Sequence, residues 1–68
     1  MNLKEETTYI LCRRIPEGTV YYKDRKGIGH QFVSDPKEAA KFKTFFSAEC
    51  MQTELRRSLN AKIEILCT

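Results

Sequence analysis

Only one stretch of this chain carries apolar residues at helical spacing. Phe45, Ala48, Met51, Leu55 and Leu59 recur every three or four positions, which lines up one face of an α-helix. Thr44 stands where an N-cap would. Asn60 tolerates the left-handed backbone in which helices often end. The other apolar residues come in short β-branched and aromatic runs. A chain of 68 residues built this way has room for one core, with one helix laid against one sheet.

The strands can be read in order. Residues 8–15, TYILCRRI, suit a strand, and Pro16-Glu17-Gly18 places its proline and glycine as a reverse turn requires. TVYYK then answers it, so residues 8–23 predict a β-hairpin. Asp24-Arg25-Lys26-Gly27 is a second turn signal, and HQFV predicts a third strand. At Ser34-Asp35-Pro36 the pattern changes: Asp35 can cap a helix, and Pro36 suits the first helical position because its missing N–H has no intrahelical partner there. Lys37 to Lys41 should complete about one turn, with Phe42 turned inward. KIEIL alternates polar and apolar residues and closes the chain as a strand. The order β-β-β-α-β predicts a single α+β domain, a mainly antiparallel sheet of three or four strands with one main helix on one face. Residues 1–7 read as a flexible N-terminus.

Composition narrows the class. The chain is 41% hydrophobic and 31% charged, too apolar for a disordered segment. Folding at this size buries only about 60% of the chain's surface, so the core is thin. The first six residues carry Glu5 and Glu6 where a secretory signal needs basic and then apolar residues. No apolar run approaches the roughly 18 residues of a membrane span. Three cysteines, an odd number without close spacing, agree with a reducing compartment. The expected location is the cytoplasm.

Few groups here promise chemistry. His30, the single histidine, could pair with Cys12, Cys50 or Cys67 as nucleophile and base, or join all three around zinc. Neither arrangement has the close cysteine pair or orienting residue that such sites use, and a free cysteine in a strand or helix is a small apolar filler. Gly27-Ile28-Gly29 is followed by a strand rather than by the helix N-terminus that would supply aligned N–H donors to a phosphate. Glu38, Glu49 and Glu54 lie among lysines and arginines and read as solvated faces. The expectation is a protein that is not an enzyme and uses no cofactor or metal.

The positions of Tyr9-Ile10, Tyr21-Tyr22, Gly29, Val33, Asp35, Glu38-Ala39, Phe42, Thr44, Ala48 and Ile63 to Leu66 form a layout that resembles small phage and prophage proteins. Those proteins share a hairpin, a D…EA…F.T…A passage and a last strand. The likeness spans nearly the whole chain and implies a mobile-element origin. This sequence departs from it at Phe45-Phe46-Ser47, where charged residues normally follow the threonine.

One geometric conflict points to binding. Side chains alternate along a strand, so Tyr9 and Leu11 face one way while Ile10 and Cys12 face the other. One helix covers one face, which leaves apolar side chains on the second for an interface, the alternative being that the N-terminal segment folds over it. The expected contact residues are Tyr9, Leu11 and Tyr21, with Arg13 and Lys23 on the rim. The expected partner is a host or defence protein that the chain inhibits, or a second copy in a homodimer. The alternative is a nucleic-acid module using Arg13, Arg14, Tyr22, Arg25 and Lys26 on a basic, aromatic sheet face. The formal net charge of +3 permits nucleic acid without demanding it.

Overall fold

The computed structural model describes residues 7–26 and 29–68, with Arg25 and Lys26 as backbone only. The reading of residues 1–7 as a flexible terminus therefore lies outside the described residues except for Thr7. Four strands form one antiparallel sheet: β1 (Tyr9–Ile15), β2 (Gly18–Lys26), β3 (Gly29–Val33) and β4 (Glu64–Cys67), in the order β3-β2-β1-β4. A 3₁₀ turn (Pro36–Glu38) and one helix, α1 (Phe45–Leu59), lie between β3 and β4. This is the small α+β architecture expected from the sequence. Among the described residues no helix is long and apolar enough to cross a membrane.

The local signals act as their chemistry requires. Pro16 and Glu17 turn the chain, and Gly18 enters β2 at φ 142°, a conformation that side-chain-bearing residues rarely adopt. The Asp35 carboxylate accepts from the Lys37 N–H at 3.0 Å, with Pro36 beginning the 3₁₀ turn. The Thr44 hydroxyl oxygen accepts from the Ser47 N–H at 3.1 Å and starts α1. Asn60 closes the helix in the left-handed region at φ 50°, ψ 45°.

Three boundaries differ from the sequence reading. Asp24 to Lys26 continue β2 instead of turning, because they pair with Gln31, His30 and Gly29 across a bulge between Tyr22 and Asp24. The helical turn expected over 37–41 stops at Glu38. Ala39 is already extended, which lets Ala40 donate to the Tyr22 carbonyl at 2.9 Å. Phe42 then exchanges both backbone bonds with Tyr9, at 2.9 and 2.8 Å. β1 pairs with β2 from Ile15 to Cys12, and Phe42 takes the place beside Tyr9 that β2 leaves. The last strand begins at Glu64, opposite Cys12, rather than at Lys62.

The register assigns faces. Leu11 pairs with Ile65, and both pack under α1 in a core of Leu11, Tyr22, Ala48, Leu55 and Ile63. Phe42 points inward as expected, its ring stacked 6.4 Å from Tyr22. Cys12 pairs with Tyr21 and Glu64 and so faces away from the helix. The sequence reading put Tyr9 and Leu11 on the open face, whereas Leu11 is 0% exposed under α1; Ile10 and Cys12, on the far face, are 2% and 1% exposed, and Ala39 is buried too.

Leu55 has no exposed surface at the centre of the helix-side core. Leu55→Ala should therefore destabilise the fold by about 2–5 kcal/mol, from lost burial and the cavity left behind. Urea denaturation followed by circular dichroism measures this, and superimposable curves would remove Leu55 from the core.

Candidate functional site

The residues expected to form a contact surface do not share one. Tyr9, Leu11 and Arg13 lie on the helix side of β1. Leu11 is 0% exposed beneath α1 and is unavailable to any partner, which corrects its place in the expected surface. Tyr21 is half-buried on the opposite face, beside Cys12. Lys23 sits at the bulge, its ammonium 3.7 Å from the Glu38 carboxylate, an exposed ion pair that contributes little stability.

The basic, aromatic platform is also divided. Tyr22 is buried among Phe32, Phe42 and His30, so it cannot stack a base; the sequence cannot say which tyrosine of an adjacent pair faces inward. Arg25 and Lys26 belong to β2 by backbone, but their side chains lie outside the described residues. Arg13 and Arg14 line a shallow cleft of ≈ 350 Å³ together with Asn60, Ala61, Lys62 and Glu64. Glu64 meets the Arg14 guanidinium there at 3.3 Å. An acid inside the cleft sets it against a continuous run of phosphates.

The exposed apolar surface lies instead at the start of α1. Phe46 is 73% exposed and Phe45 49%. The Thr44 cap holds the first helical turn, and Ala48 one turn later is fully buried, which sets the rotation of the helix. Phe45 is steadied by the Tyr9 ring, whose centroid lies 5.6 Å away with the planes at 78°. Tyr9 thus keeps a place in a candidate surface, in the company of Phe45 and not of Leu11 and Tyr21. The sequence carried a signal for this site, since Phe45-Phe46 supplies two adjacent aromatics where only one can face a core.

The titratable groups are scattered. The His30 side chain is 6% exposed, and its Nε2 lies 3.8 Å from Glu54 Oε2, too far for a hydrogen bond. Among the described residues no group of three or more His, Cys, Asp or Glu side chains is placed to hold a metal ion. All three cysteines are free; Cys12 is buried, and Cys50 and Cys67 are exposed. Burial pushes the Cys12 thiol above its ordinary value, and the Glu64 charge adds to this against a smaller opposing effect of Arg14. No family model, curated protein or solved structure matches this chain.

Two outcomes follow for the thiols. In native protein Cys50 and Cys67 should react readily with a thiol-specific chromogenic reagent, and Cys12 only on unfolding. Three equally fast thiols would contradict the burial of Cys12. A raised thiol value means that the folded state holds this proton more tightly than the unfolded state does. Its contribution to stability is complete below the ordinary value of 9.0 and is lost as pH rises through the raised one. Urea midpoints between pH 8 and 10.5 should therefore fall more steeply for the parent than for Cys12→Ala, and parallel curves would refute the assignment.

Proposed function

We propose that this chain is a protein-binding module that is not an enzyme, a phage- or prophage-encoded inhibitor of a host or defence protein, of the anti-CRISPR or host-takeover kind, acting in the host cytoplasm. The observation that carries the reading is the pair Phe45 and Phe46 on a capped, rigid helical turn. Burying a phenylalanine side chain is worth about 1.5–3 kcal/mol, so leaving two in water forgoes stabilisation that a small domain can ill spare. Aromatic side chains on rigid elements are what the centres of protein interfaces use.

The mobile-element part of the reading rests on the layout described above. The positions at which this sequence leaves that layout, Phe45-Phe46-Ser47, include the two most exposed aromatic rings of the described residues. A domain that keeps a scaffold and changes its first helical turn from charged to aromatic has altered what that turn can touch. Lys41 and Lys43 are exposed just ahead of it and supply a polar border. The partner would offer an apolar pocket for Phe46. Among the described side chains the nucleic-acid alternative has the Arg13, Arg14 and Lys62 cleft to support it, and Glu64 within that cleft opposes it.

The test compares the parent with Phe46→Ala and with Arg13→Ala in capture from host lysate and in oligonucleotide titrations. Phe46→Ala should melt within about 0.5 kcal/mol of the parent, as surface substitutions do. It should lose the captured protein by tenfold or more, as removal of an interface anchor does. Capture unchanged in Phe46→Ala would overturn the reading. Binding to mixed oligonucleotides that weakens steeply with salt and is lost in Arg13→Ala would support the alternative.

A further inference from the structure

The hydrogen bonds of β1 determine what the outer edge of β4 offers. Thr8 and Thr68 exchange both backbone bonds, N–H to carbonyl, at 3.4 and 2.8 Å. In an antiparallel pair such reciprocal partners alternate with partners that exchange none. Ile10 with Leu66 and Cys12 with Glu64 are therefore the next bonded pairs of the register, while Tyr9 with Cys67 and Leu11 with Ile65 are not. Tyr9 bears this out independently, since it gives both of its backbone groups to Phe42 on its other side. The N–H and C=O of Ile65 and of Cys67 thus point out of the sheet, along the free edge of β4.

Among the described residues that edge is lightly guarded. β4 is a terminal strand in the order β3-β2-β1-β4, and its residues Glu64, Ile65, Leu66 and Cys67 include no proline, no lysine and no bulge. Of the devices by which exposed edges avoid pairing, it keeps only its short length and the charge of Glu64. The other edge strand, β3, follows a bulged partner, which twists it. Just before β4 the Ile63 carbonyl is taken by the Gln52 amide at 2.8 Å, so the free stretch starts at Ile65. No hydrogen-bond partner among the described residues falls on the four outward groups.

We propose that this edge is a self-association site, at which β4 pairs with β4 of a second copy about a two-fold axis passing through Leu66. Self-complementarity selects the occupant. In this register Ile65 exchanges both backbone bonds with Cys67 of the other copy, and the reverse, so all four outward groups on each chain are used. Leu66, 36% exposed on the face away from the helix, meets its own symmetry mate in an unbonded pair, the type in which side chains approach most closely. Glu64 falls opposite Thr68, so the two Glu64 side chains do not meet each other. An axis through Ile65 would bring Cys67 to Ile63, whose carbonyl is already engaged, and one through Cys67 would leave Ile65 unpaired. The two four-stranded sheets become one continuous sheet with both helices on the same side, an isologous dimer. This rests on β4 alone, not on the reading of Phe45 and Phe46, and its test leaves both intact.

Sedimentation equilibrium of the 7.9 kDa parent, run in reductant from 10 µM to 1 mM, should show a monomer–dimer equilibrium. Leu66→Lys puts two like charges on the axis and should weaken association at least tenfold while leaving the thermal melt of the monomer unchanged. Register is read by crosslinking in a Cys50→Ser, Cys67→Ser background. Leu66→Cys should form a disulfide-linked dimer under mild oxidation, because unbonded antiparallel partners lie within disulfide reach. Glu64→Cys, whose symmetry mate is remote in this register, should crosslink at least tenfold more slowly. A monomer at every concentration would overturn the proposal, as would a dimer that survives Leu66→Lys or equal crosslinking at the two positions.

Discussion

Two backbone hydrogen bonds, both between Tyr9 and Phe42, hold this structure in its particular form. They are the point at which the connector from β3 enters the sheet and takes the place beside β1 that β2 gives up. With the bond from Ala40 to Tyr22 they fix where the chain stands when Thr44 begins the helix. Phe42 is thereby committed to the core, against Tyr22, and Phe45 to the ring of Tyr9. A longer helical turn after Pro36 would satisfy local propensity but leave the backbone groups of Tyr9 without partners. Unmade backbone bonds of buried segments cost more than a turn of weak helix returns.

Burial on both faces of β1 answers the two-face problem that the sequence poses. A strand as apolar as TYILC, in a domain with one helix, suggests an open greasy face. In the structure β1 is an interior strand, with β4 on one side and β2 and the connector on the other. The side chains of Ile10 and Cys12 are buried on the face away from α1. The surplus apolar surface moves elsewhere, to Phe45 and Phe46 at the helix start and to Leu66 on the edge strand. These are peripheral places, where another chain can reach without disturbing the core.

The candidate surface was only partly legible in advance. Tyr9 belongs to it, but Leu11 does not, because a residue's face can be read from alternation whereas the face the helix chooses cannot. Tyr21 and Tyr22 show the same limit. Alternation says that they oppose one another, and only the packing of Phe32 and Phe42 says that Tyr22 is the inner one. Arg13 and Lys23 were grouped with them by strand position. The structure sends one to a cleft beside the helix end and the other to an ion pair with Glu38.

What the sequence determined by itself is the set of elements and most of their ends. Caps, turns and spacing act over a few residues, so Asp35, Thr44, Asn60 and Gly18 work wherever the chain carries them. The four-stranded order, the early end of the 3₁₀ turn and the passage of β2 through a turn-like Asp24-Arg25-Lys26 were decided only in the tertiary structure. Each of these depends on which distant backbone groups find one another. Pairing between strands is a long-range competition for hydrogen-bond partners, and no local preference records its outcome.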